Sequence, residues 1–195
     1  YYLYATKLVV DAARVLGHSD DETQFSELHE RIRAALHGKY FDAKANFYAA
    51  NQCCAIMALL LRIPPDDLYE TVRSNLLYDI EADFQYKLMT GILGSKYLLD
   101  LLDRDGFNDY AWRMASQPRY PGWVYLTQGR TTLSEDLDVF LGSNNHVMFG
   151  MVDAWFYQGL GGIHVDESLS GADRLTLRPY FPPDLPRAEA RRDTP

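Results

Sequence analysis

Segments of helical period in this chain are joined alternately by very short and by long links, and this alternation limits the fold more than any single motif. The first segment, residues 1–17, has apolar Tyr1, Tyr4, Ala5, Leu8, Ala12 and Val15 at helical spacing, and Gly17 suits a helix C-terminus. A capping box, Ser19-x-x-Glu22, then opens a second stripe of Phe25, Leu28, Ile32, Ala35 and Leu36. So short a link predicts an antiparallel helical hairpin. Residues 51–62 are apolar nearly all round, which predicts a buried helix. Pro64-Pro65 stops it, and Pro65 suits the first position of a following helix whose Leu68, Val72, Leu76 and Ile80 recur every fourth residue. Residues 92–106 end at Gly106, residues 107–117 stop at Pro118, and residues 144–160 are predicted to form the last long helix. The long links, 38–50, 82–91 and 118–143, are rich in aromatic residues. Stacked hairpins place such links on one rim, where function concentrates. The fold class expected is all-α.

The period changes after Gly162. In 174-RLTLRPYF-181, Leu175 and Leu177 alternate with Arg174, Thr176 and Arg178, which predicts a strand without a partner. Residues 1–163 are therefore expected to be helical, and residues 164–195 to begin a β module. A chain that opens inside a helix and closes after one strand is expected to leave apolar faces uncovered, among them Leu8, Val15 and Phe25. It is expected to be stable only with a missing half or by pairing with a second copy.

The net charge of −8, and the lack of any basic patch, exclude nucleic acid as a partner. The longest apolar run, 55-AIMALLL-61, is far short of the ~20 residues of a membrane helix. Cys53 and Cys54 are adjacent and read as small core residues rather than as a metal site. His18, His29, His37 and His164 show no metal-ligand spacing. No metal and no cofactor is expected, and no phosphate loop or serine-nucleophile motif is present in the sequence.

The chemistry concentrates in 122-GWVYLTQGRTTLSEDLD-138, which fits neither helical nor alternating period. Glu135 lies there between Ser134 and Asp136, with Asp138 nearby and Tyr120, Trp123 and Tyr125 preceding it. A carboxylate beside aromatic walls can serve as general acid or base. Such a group can equally be part of a solvated acidic loop, and Asp136 can cap a turn. His146, in 142-GSNNHVMFG-150, follows residues suited to capping, so a structural place and a ligand-binding one are both open to it.

Four stretches, in order, resemble bacterial α-L-rhamnosidases, the inverting family 78 glycoside hydrolases. The first, 90-TGILGSKYLLDLL-102, is similar to that family's TGFLGTxYLL helix start. The second, 121-PGWVYLTQGRTTLSE-135, is similar to its aromatic segment ending in a glutamate. The third, 142-GSNNHVMFGMVDAWFYQGLGGI-163, is similar to its Asn-His helix. The fourth, 174-RLTLRPYF-181, is similar to the strand that opens its C-terminal β-sandwich. The likeness runs over nearly all of residues 1–181. It implies helical hairpins of an (α/α)6 toroid, here only its C-terminal half, with sugar bound at one end. It implies that Glu135 is the general base, that His146 binds sugar, and that Trp123 stands at the aromatic, sugar-binding rim.

The family usually has Trp where Ser134 stands, and that Trp would wall the site. The family's general acid lies in an acidic segment of the first half of the barrel, and no such segment occurs in this chain. The resemblance thus implies hydrolysis of terminal α-L-rhamnosides with inversion, on a rhamnose-containing saccharide or glycoside, in partnership with the N-terminal half of the same protein. The alternatives are a non-catalytic saccharide-binding or scaffolding remnant and an (α/α)6 hydrolase of another sugar.

Overall fold

A computed structural model describes residues 1–49, 51–165 and 175–191. The chain divides into two compact units, Tyr1–Tyr78 and Asp79–Pro195.

In the first unit, α1 (Tyr2–Leu16) and α2 (Ser19–Tyr40) form the expected hairpin, turned at Gly17 in the left-handed region. The capping box does not form. Ser19 is already helical and no side chain caps the helix, while Glu22 accepts from Arg14 Nε at 2.8 Å across the turn. The packed face of α1 is Leu3, Thr6, Val10 and Ala13. Leu8 and Val15, on the stripe singled out in the sequence, are exposed. The helix has two apolar stripes, and helical period alone does not say which one packs. Phe25 is half-buried.

The link 38–50 is shorter than expected, because α2 continues through Gly38 to Tyr40. A small hairpin follows, β1 (Phe41–Asp42) on β2 (Phe47–Tyr48), antiparallel with Phe41 opposite Tyr48. Asn75 of α4 (Asp66–Tyr78) donates to the carbonyls of Ala45 and Asn46 and pins the hairpin's turn. Burial of Tyr48, whose hydroxyl lies 2.7 Å from His37 Nδ1, pushes its pKa up to about 12. The helix α3 (Gln52–Leu60), capped by Asn51 on Cys54 N, buries Ala55, Ile56, Ala58 and Leu59. Cys54 is exposed and Cys53 only half-buried, so neither is the small core residue expected. Pro65 stands just before α4, where its carbonyl accepts from Leu68 and Tyr69.

The second unit runs from a π-helical turn, Asp79–Asp83, to α5 (Gly91–Arg104) and α6 (Asn108–Ala115), packed as a hairpin. A one-turn helix, α7 (Trp123–Thr127), interrupts the long link that follows. The last helical run begins at Met148, later than the sequence suggests. It is a 3₁₀ turn (Met148–Met151), then α8 (Val152–Trp155), then a π-helical turn (Phe156–Leu160), and it packs on α5.

The unit therefore has two ends. At one, α5 starts, α6 stops and the 148–160 run begins. A core of Leu126, Val139 and Phe149, joined by Ile92 from the first turn of α5, closes that end under the long link. At the other end, β3 (Ile163–Val165) pairs antiparallel with β4 (Leu175–Leu177). The strand expected at 174–181 is thus shorter and has a partner. Arg174 lies outside the described residues, and the expected change of character at 163/164 falls inside β3. Gly162, at φ +66°, lets the chain turn directly against the backbone of Arg178 and Pro179, where a Cβ has no room.

Candidate active site

The 118–147 link folds back on itself so that residues 132–135 run beside 143–146. Glu135 N donates to Ser143 O at 2.8 Å, and His146 N donates to Leu133 O at 2.9 Å. Thr132 Oγ1 donates to Asn144 O, and Arg130 Nη1 donates to Asn144 Oδ1 at 2.8 Å. These cross-bonds are why residues 144–146 do not join the helix that follows.

The result is a short contact between the two residues singled out in the sequence. His146 Nδ1 lies 3.5 Å from Glu135 Oε2, with side chains 31% and 48% exposed respectively. The same oxygen accepts from Ser143 N at 3.1 Å. Among the described residues no hydrogen bond reaches Glu135 Oε1, so the acceptor sites of that oxygen are open. With Nδ1 turned to the carboxylate, Nε2 is the ring nitrogen left for a ligand. Gly142, at φ +69°, sits against this carboxylate, and a Cβ there would stand 3.0 Å from Oε2. Glycine is required here by both the backbone conformation and the space.

The neighbouring acids have other work. Asp136 Oδ1 accepts from Asp138 N at 2.9 Å, and Asp138 Oδ1 accepts from Phe140 N at 3.0 Å. They cap successive turns, the structural alternative open in the sequence. Ser134 is buried, and its hydroxyl donates to Asp136 O at 2.7 Å.

Trp123 takes a different place from the other two site residues. It is 3% exposed, and its indole N–H donates to Phe149 O at 2.8 Å. It ties α7 to the start of the 148–160 run. Tyr120 and Tyr125 meet edge to face at 5.4 Å. Arg130 and Asn144 were not singled out in the sequence. They are common polar residues of a polar loop, and only their pairing across it marks them.

Comparison with known proteins shows the family. A model of the bacterial alpha-L-rhamnosidase six-hairpin glycosidase domain matches residues 1–160. The chain belongs to this family. An α-L-rhamnosidase of Formosa agariphila is 26% identical over the whole chain, and one of Streptomyces avermitilis is 28% identical over 92% of it. The chain spans about a fifth of the length of these curated relatives, 22% and 18%. The structure of the Streptomyces avermitilis α-L-rhamnosidase complexed with L-rhamnose matches 93% of the chain and 18% of its own, with a TM-score of 0.80 and 28% identity. That of the Dictyoglumus thermophilum α-L-rhamnosidase matches 85% of the chain and 19% of its own, with a TM-score of 0.79 and 32% identity. The all-α fold class and its helical hairpins are those of the six-hairpin glycosidases.

Proposed function

We propose that this chain is the part of an inverting α-L-rhamnosidase that carries its general base. The observation that supports this most directly is the Glu135–His146 contact, in which one carboxylate oxygen is held and the other is open. Ser143 N and His146 fix the rotamer, so Oε1 is poised to take a proton from water. His146 Nε2 hydrogen-bonds a hydroxyl of the sugar. Trp123 contributes from beneath, by holding the start of the 148–160 run, rather than through an exposed indole face.

Inversion needs a second carboxyl on the opposite side of the bond, roughly 6.5–9.5 Å away, to protonate the leaving oxygen. Asp136 and Asp138 are committed to turns on the same loop as Glu135. The acid is supplied by the N-terminal half of the same protein, and residues 164–195 begin a β module beyond the helical hairpins. The substrate is a terminal α-L-rhamnoside.

The test is the anomeric form of the rhamnose released by the full-length protein, followed by proton NMR in the first minutes. β-Rhamnose appearing first supports the reading, and α-rhamnose first overturns inversion. If the full-length protein binds rhamnose but releases none from any rhamnoside, the chain is a saccharide-binding remnant instead.

A further inference from the structure

The fold-back that joins Glu135 to His146 has a link beyond its backbone bonds. Residues 132–135 and 143–146 are tied by Glu135 N to Ser143 O and by His146 N to Leu133 O. Asn144 stands between the two tied residues of the second arm and is held twice more. Thr132 Oγ1 donates to its backbone carbonyl, and Arg130 Nη1 donates to its Oδ1 at 2.8 Å.

Both grips on the carboxylate depend on where Asn144 lies. Its neighbour Ser143 donates its N–H to Glu135 Oε2 at 3.1 Å. Two residues further on, His146 places Nδ1 3.5 Å from the same oxygen. Residues 143–146 belong to no helix or strand, so a shift of Asn144 carries both neighbours with it.

Arg130 is placed for this bond rather than for charge balance. Among the described residues its side chain makes no other hydrogen bond and no ion pair. Arg14, Arg33, Arg104 and Arg187, by contrast, each lie 2.8 Å from a carboxylate oxygen. The chain has 27 acidic side chains against 19 basic ones, yet this guanidinium is held to a neutral amide. A charged donor makes the shorter and stronger bond, and a planar guanidinium keeps its direction at less loss of freedom than an ammonium.

The other end of the link is anchored. Arg130 N donates to Thr127 O at 3.2 Å, at the end of α7. Trp123, buried at the start of α7, fastens that helix to Phe149 O. The connection therefore runs from a packed helix, through Arg130 and Asn144, to the arm that carries His146.

We infer that Arg130 is a positioning residue for the hydrolysis proposed above. Acting through Asn144, it sets the register of 143–146 against 132–135 and so holds the Glu135 carboxylate in place. This inference rests on the rhamnosidase reading, and one arm of the experiment separates the two.

The full-length protein carrying Arg130→Ala is compared with the wild type on an aryl rhamnoside, with kcat and KM resolved. Displacement of a catalytic group by about 1 Å costs ~10²-fold, and smaller shifts cost less, so kcat falls by about 10–100-fold. The melting temperature stays that of the wild type. Arg130→Lys recovers part of kcat, since one donor suffices for Asn144 Oδ1. Asn144→Ala lowers kcat as Arg130→Ala does, and the double variant is no slower than either, as two ends of one bond require. In a Glu135→Gln background, Arg130→Ala has no further effect on the residual rate, which a general structural loss would not spare. An unchanged kcat in Arg130→Ala, additive losses in the double variant, or a loss undiminished by Glu135→Gln overturns the inference. Crystal structures of the full-length protein and its Arg130→Ala variant read the latch without turnover. The Glu135–His146 contact opens in the variant, and an unchanged contact overturns the inference. A full-length protein that cleaves no rhamnoside sinks the rhamnosidase reading alone, and the opened contact then still assigns the latch to Arg130.

Discussion

The second unit carries two carboxylate–histidine contacts of nearly equal length at its opposite ends. Glu135 and His146 stand 3.5 Å apart, and Asp103 and His164 stand 3.6 Å apart. Their surroundings differ. Asp103 is 9% exposed at the side chain, accepts from Asn108 Nδ2 at 2.9 Å, and lies 3.7 Å from Arg178. Asn108 in turn accepts from Trp155 Nε1 at 2.9 Å, and Arg178 donates to Asp103 O at 3.1 Å. This network joins the end of α5, the start of α6, α8 and the β3–β4 ribbon. Both of its carboxylate oxygens are engaged, and the pair acts as a strut. Glu135 keeps one oxygen open and half its side chain exposed. Of the two pairs, only that of Glu135 leaves a carboxylate oxygen open, as a general base acting on water requires.

The largest expected effect tests that contrast directly. In the full-length protein, Glu135→Gln lowers kcat on an aryl rhamnoside by ~10²–10⁴-fold, the usual cost of losing a general base. Its melting temperature stays that of the wild type. Near-normal turnover by this variant removes Glu135 from the chemistry and erases the distinction between the two ends.

Asp103→Ala has the opposite profile. It leaves the buried Asn108 amide without its acceptor and releases the ribbon, at a cost of about 1–3 kcal/mol. Urea unfolding followed by tryptophan fluorescence measures the loss, while turnover per folded molecule is retained. A stability equal to wild type shows that the network is not a strut.

Gly142→Ala produces a smaller change at the open end. A left-handed alanine costs about 1–2 kcal/mol, and its Cβ presses on the Glu135 carboxylate. A displacement of a few tenths of an ångström lowers kcat roughly tenfold, well short of Glu135→Gln, because misplacement by about 1 Å costs ~10²-fold. Steady-state kinetics with kcat and KM resolved checks it, and an unchanged kcat shows that the carboxylate has slack.

The smallest effect separates hydrogen bonding from burial as the means of tuning a carboxylate. Glu81 is exposed, and the Tyr110 and Tyr86 hydroxyls, then Arg113, hold its carboxyl below its ordinary pKa. A depressed carboxylate adds stability above its unfolded pKa, and that stability is lost as pH falls through the lowered folded value. Tyr110→Phe removes the largest cause, so the Glu81 pKa rises toward the ordinary value and the loss begins at higher pH. Carbon-13 NMR titration of the Glu81 carboxyl reads this directly, and no movement assigns the shift to the Tyr86 hydroxyl and Arg113 instead.

Much of the helical order was legible before any coordinates. Gly17 and Gly106 ended helices because their φ of +73° and +84° suits glycine, and Pro64-Pro65 and Pro118 broke them because proline lacks the N–H. Motif order along the chain singled out Glu135 and His146 as candidates, and the fold brings their side chains within 3.5 Å of each other. What local sequence could not supply was long-range. Two apolar stripes on α1 have the same period, and only docking against α2 chose Leu3, Val10 and Ala13 over Leu8 and Val15. Strand β3 is three residues long and gains its meaning only from β4, from which nine residues separate it in the sequence. The capping box at Ser19 lost to an ion pair with Arg14, a partner from the preceding helix. The contact at the centre of the site depends on a loop folding back through Ser143 O, Leu133 O and the Arg130–Asn144 bond. Sequence fixes which groups exist and how helices are punctuated, since those depend on neighbouring residues. Which face packs, and which carboxylate keeps a free oxygen, depends on groups distant in the chain, and only tertiary structure brings them together.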